Sequence, residues 1–150
     1  MKEYIEQNLG KADIEIAGLQ IWVHGRQFPD SHDYWDGNWL SVTACCEAKG
    51  ACVWVAGNII HLSEIHILLS GAEKLYRDLK GKAELPCMEP ELSLELTAKS
   101  QGQIEMTVDI TPDNLSQGHS FMFKIDQSYL PGLLTGCKKV MHKFPVKGGP

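Results

Sequence analysis

A chain of 150 residues with 43% hydrophobic and 22% charged content is sized and balanced for one folded domain around a continuous core. No apolar run approaches the roughly 20 residues of a membrane span, and Met1-Lys2-Glu3-Tyr4-Ile5-Glu6-Gln7 is too polar for the centre of a secretion signal, so the expected location is cytoplasmic, without a membrane partner. Net charge is −5, divided as −4 over residues 1–36, −5 over 37–123 and +4 over 124–150; this acidic front disfavours direct nucleic-acid binding and favours a basic partner.

In chain order, Ile14 and Ile16 alternate with Asp13 and Glu15, and the phase then shifts to Leu19, Ile21 and Val23 around Gly18. That pattern reads as one bent strand or a tight strand pair. The stretch from Gln27 to Asn38 has neither a helix nor a strand period, but interleaves aromatic and acidic residues, with Asp36-Gly37 as a tight-turn signal. Alternation returns at Trp39–Glu47, with Leu40, Val42, Ala44 and Cys46 on one face. A returning strand over Ala51–Val55 follows the Lys49-Gly50 turn, and Gly57-Asn58 either breaks or bends it before Ile59 and Ile60.

A helix is predicted over about 64–80. Ser63 is its expected cap, Ile65, Leu68, Leu69, Ala72, Leu75, Tyr76 and Leu79 form its apolar stripe, and Gly81 is its expected C-terminal stop. Two alternating segments, Leu92–Ala98 and Ile104–Ile110, then form a hairpin with one apolar and one wet face. A short strand over Ser120–Ile125 precedes a second helix, about 130–143, striped by Leu130, Leu133, Leu134, Cys137, Val140 and Met141. The sum is α+β: a mainly antiparallel β-sheet with two amphipathic helices on its apolar face. No internal repeat is visible, and a single domain over 1–150 is expected, with 1–12 and 146–150 as poorly ordered ends.

Asp30, Asp33 and Asp36 flank His32 but lack the distant glutamate of a calcium loop, and the six histidines show no zinc spacing, so no metal and no cofactor is expected. His61 and the other histidines read as surface or capping residues. The five cysteines include no CxxC pair and read as buried thiols. No nucleophile motif such as G-x-S-x-G is present, and the chain reads as a non-enzyme. Among the tryptophans, Trp22, Trp39 and Trp54 sit on strand patterns and read mainly as structural, which leaves Trp35 with Tyr34 as an exposed pair next to acids. Such a pair suits a partner rich in Arg or Lys. The candidate contact residues are Asp30, Asp33, Tyr34, Trp35 and Asp36; the alternative is a small-ligand or carbohydrate-binding domain that uses the Trp-rich face.

Gln27-Phe28-Pro29 followed by Asp33-Tyr34-Trp35-Asp36-Gly37-Asn38-Trp39-Leu40 resembles the opening of the WapI-type bacterial immunity proteins, with the pattern similar over roughly residues 14–80 and more loosely beyond. The resemblance implies a protein that binds the toxic C-terminal domain of a secreted toxin without catalytic residues; the acidic net charge adds a basic nuclease as one candidate partner, and a monomer or homodimer is expected.

Overall fold

The computed structural model describes residues 8–149. Expectations for residues 1–7 lie outside the described residues. The elements run β1 (Ile14–Ile16), β2 (Leu19–Arg26), β3 (Trp39–Ala48), β4 (Ala51–His61), α1 (Leu62–Asp78), β5 (Lys82–Leu85), β6 (Leu92–Ala98), β7 (Gln103–Ile110), β8 (Ser120–Asp126) and α2 (Leu130–Lys143). The strands are antiparallel and form two four-stranded sheets, in the orders β1-β2-β3-β4 and β5-β6-β7-β8. The α+β class, the antiparallel pairing and the two amphipathic helices match the sequence expectation; the sheet is divided in two.

That division exposes a repeat the amino-acid sequence does not display. Each half is a meander of four strands closed by a helix. Each helix reaches across to the first strand of the other half. Gly71 of α1 lies on β5, where a Cβ would meet the Ala83 Cα at 3.2 Å. Gly136 of α2 lies on β1, where a Cβ would meet the Asp13 carbonyl oxygen at 2.6 Å. The helices also pack on one another, and their apolar stripes join the inner faces of both sheets in one core, from Ile14 and Leu40 to Met106 and Leu133.

The phase shift near Gly18 is a tight hairpin, with Ala17 at φ 50 and Ile16 paired to Leu19. Glycine is required at position 18 because a Cβ would stand 2.0 Å from the Glu47 carbonyl oxygen of β3. Register shifts at Val23/Gly25 and Leu40/Val42 mark bulges that bend the first sheet.

Helix α1 starts earlier than expected. Its cap is His61, whose Nδ1 accepts the Ser63 N–H at 3.2 Å, while Glu64 Oε1 accepts the His61 N–H at 2.8 Å. This is a capping box with an imidazole in the usual hydroxyl position. The helix stops at Leu79, which takes the left-handed conformation (φ 52) and donates its N–H to the Leu75 carbonyl at 2.8 Å, ahead of Gly81. Helix α2 has the expected bounds.

Candidate functional site

The connection from β2 to β3 is built from local hydrogen bonds. Gln27 N–H donates to the Trp39 carbonyl at 2.9 Å and closes its base. Asp33 Oδ2 accepts the backbone N–H groups of Trp35 and Asp36 at 2.9 and 2.8 Å, which folds residues 33–36 into a turn. A short 3-10 turn over Asp36–Asn38 then leads into β3. Gly37 serves close approach here, because a Cβ would sit 3.0 Å from the Ser31 carbonyl oxygen.

Asn38 is fully buried and ties this loop to the chain beyond α2. Its Nδ2 donates to the carbonyls of Tyr34 (2.6 Å) and Lys147 (2.9 Å). Its Oδ1 accepts from Lys147 N–H (2.9 Å) and Arg26 Nη1 (3.1 Å). Lys147 Nζ donates to the carbonyls of Pro29 and Ser31 at 2.6 and 2.9 Å, and Arg26 reaches the carbonyls of Gly37 and Pro145. The ammonium and backbone of Lys147 thus fill acceptor and donor positions the loop leaves open.

Above this clip sits an aromatic cluster centred on His61, which is fully buried. Trp35 stacks on its ring at 5.2 Å, and Trp39 and Tyr34 meet it edge-on at 5.1 and 5.6 Å. Because Nδ1 accepts from Ser63, Nε2 carries the proton and donates to the Trp35 carbonyl at 3.1 Å. One imidazole thus caps α1 and holds both the ring and the backbone of Trp35. Glu64 completes the support by accepting the Met88 N–H at Oε2 (2.8 Å).

Asp30, Asp33, Trp35 and Asp36 are exposed and Tyr34 is half-buried. Trp35 leaves 49% of its surface open, so one face rests on His61 and the other meets solvent. Asp30 and Asp36 line a hollow of about 390 Å³ together with Phe28, itself 46% exposed. Asp33 stands apart from them in role: its carboxylate is engaged in the turn. From sequence alone His61 reads as no more than a surface or capping residue, and its place at the centre of this cluster is a finding of the structure. The spacing of His61 to Glu64, three residues, is the signal that points to it.

Among the described residues, no three His, Cys, Asp or Glu side chains come together as a metal ion would need. Trp22 and Trp39 are buried, while Trp54 is 44% exposed, so two of the three tryptophans on strand patterns are packed residues. The hollow beside Phe28 contains no tryptophan, and the cleft beside Trp54 contains no second one, so neither offers paired stacking platforms for a sugar. No helix among the described residues is long and apolar enough to cross a membrane.

No curated protein matches the chain. Among solved structures, the crystal structure of WHY1 from Arabidopsis thaliana is similar in fold, at 12% identity and a TM-score of 0.50, over 87% of this chain and 86% of that one. The immunity protein WapI-like family matches residues 11–145. Such a family implies a toxin partner in general and is generally not catalytic. With a match that spans nearly the whole of the sequence, this protein belongs to the immunity protein WapI-like family.

Proposed function

We propose that the chain is a non-enzymatic immunity protein of the bacterial cytoplasm that neutralises a cognate toxin domain by docking it on the Phe28–Asp36 loop. The observation that carries this reading is the perch of Trp35: half-exposed, stacked on a buried imidazole, and next in sequence to Asp36, which shares a hollow with Asp30. A rigid aromatic next to carboxylates receives Lys or Arg side chains with little loss of conformational freedom. Net charge of −5 supports a basic partner, a nuclease being the class with a basic cleft.

The test uses the toxin domain encoded beside this gene, with growth rescue and calorimetric binding as readouts. Trp35→Ala combined with Asp36→Ala is expected to weaken a one-to-one complex at least a hundredfold and abolish rescue, while the variant stays folded, with a cooperative unfolding transition well above the assay temperature. Wild-type affinity in that double variant would move the toxin contact elsewhere. Asp33 is the wrong residue for this purpose, because its turn bonds make its loss a folding change.

A further inference from the structure

Two sheets of four strands have four edges, and three are managed. Strand β1 is covered by α2 at Gly136, and β5 by α1 at Gly71. Strand β8 carries Lys124 and Asp126. Strand β4 has none of these protections: Ala51–His61 contains no proline, lysine, arginine or carboxylate, although it forms the outer edge of its sheet. Among the described residues, no backbone hydrogen bond joins that outer edge to another element. An uncharged edge of this length is a template for another strand.

A cleft of about 640 Å³ runs along it. One wall is formed by five consecutive residues, 52–56, and the other includes Glu91, Gln117 and His119. Side chains of a strand alternate between faces, so a cavity on one face would touch every second residue. Five in succession mean that the cleft meets the strand edge-on, where N–H and C=O groups point outward. Trp54 stands at its mouth, 44% exposed. In the opposite wall Glu91 is fixed by its carbonyl, which accepts the Thr111 N–H at 2.9 Å, yet its Oε2 is sealed from solvent without a hydrogen-bond partner. No lysine or arginine lines the cleft to balance it.

We infer that the β4 edge is a strand-addition site for an extended peptide segment of a partner protein, paired to the backbone of residues 52–56, with a Lys or Arg of that segment against Glu91 and an apolar side chain on Trp54. A peptide main chain supplies donors and acceptors at the 3.3 Å repeat that the edge requires. The site lies at the hairpin end of β3–β4, roughly 20 Å along the strand from the perch of Trp35 on His61. It therefore stands independently of the toxin-docking loop.

The probe is a fluorescent acetylated heptapeptide of alternating Thr and Val with a central Arg, added to the full-length protein. Saturable binding with at least tenfold slower amide exchange over residues 52–56 is expected. Binding should weaken at least tenfold when the central Arg is replaced by Glu or alternate peptide amides are methylated. Glu91→Gln should remove the preference for Arg over Glu without loss of fold, and Trp35→Ala should leave peptide binding unchanged. Absence of binding at millimolar peptide, or binding without protection of 52–56, overturns the inference. Protection that grows with protein concentration alone also overturns it, since a second copy would then fill the edge.

Discussion

Replacing Asn38 with alanine removes a side chain that joins the loop, Arg26 and Lys147 through four hydrogen bonds of 2.6–3.1 Å, with no exposed surface. Each bond contributes a net of about 0.5–1.5 kcal/mol, which bounds the loss between about 2 and 6 kcal/mol. The lower half of that range is the better expectation, because half-buried Lys147 can turn to water once released, whereas the Tyr34 carbonyl loses its partner inside the loop. About 3 kcal/mol corresponds to a fall of roughly 6–12 °C in thermal midpoint for a chain of this size. Urea unfolding should give that loss with an unchanged slope. Deletion of residues 147–150 removes two of the same four bonds, so the two changes together should cost about 1–3 kcal/mol less than their sum. A cost below about 1 kcal/mol for Asn38→Ala, or simple additivity with the deletion, would refute the clip.

Helix α2 offers a matched pair of substitutions. Gly136→Ala drives a Cβ to 2.6 Å from the Asp13 carbonyl oxygen and should cost about 1–3 kcal/mol, whereas Gly132→Ala meets nothing within 4 Å and should stabilise by about 0.5–1 kcal/mol; urea unfolding distinguishes the signs. Burial pushes the Glu64 carboxyl above its ordinary value of 4.5, against the pull of the His61 and Met88 N–H groups. A native carboxyl that holds its proton more tightly than the unfolded one adds stability at low pH, and that increment is lost as pH rises from the unfolded value through the native one. Urea titrations across that interval should show the decline in wild type and its absence in Glu64→Gln. Burial pushes the thiols of Cys45, Cys46 and Cys137 up to about 12 and raises Cys87 as well, while half-buried Cys52 lines the open cleft. Iodoacetamide at mildly alkaline pH should therefore label Cys52 first in the native protein, as peptide mapping would show, and equal labelling of several cysteines would contradict the burial.

Periodicity makes much of this fold legible. The alternation in β3, β6 and β7 and the stripe of α2 name the core residues directly, because a single buried face imposes a repeat of 2.0 or 3.6. The loop over Gln27–Asn38 is also legible by its lack of either repeat. What the sequence conceals depends on contacts distant along the chain. Strand β3 in one sheet and β6 and β7 in the other alternate in the same way, so nothing local says that Ala51–His61 and Lys82–Leu85 border different sheets. Strand β5, four residues long, is too short to show a period. The clip between Asn38 and Lys147 spans 109 residues, and no composition signal marks it. Exposed Trp54 defeats a rule that assigns tryptophans on strands to the interior; edge position decides its exposure. Of the candidate residues, Asp30, Asp33, Trp35 and Asp36 are exposed, and the Asp33 carboxylate, which reads from sequence as simply solvated, also accepts the turn bonds.

The exchange of helices between the two halves carries a consequence for the order in which the protein becomes complete during synthesis. When residues 14–78 have left the ribosome, α1 has no β5 to lie on and β1 has no α2 to cover it. Neither half can reach its final packing from its own residues, so assembly waits for α2 and depends on contacts of long sequence separation, which form slowly. The loop around Trp35 waits longer still, because Lys147 supplies the N–H, the carbonyl and the ammonium that fix it. A nascent chain interrupted before that residue would carry most of the core but an unanchored aromatic loop. Synthesis through Lys147 and anchoring of the aromatic loop are thus one event, and under the docking proposed above unfinished copies would not compete for the same partner.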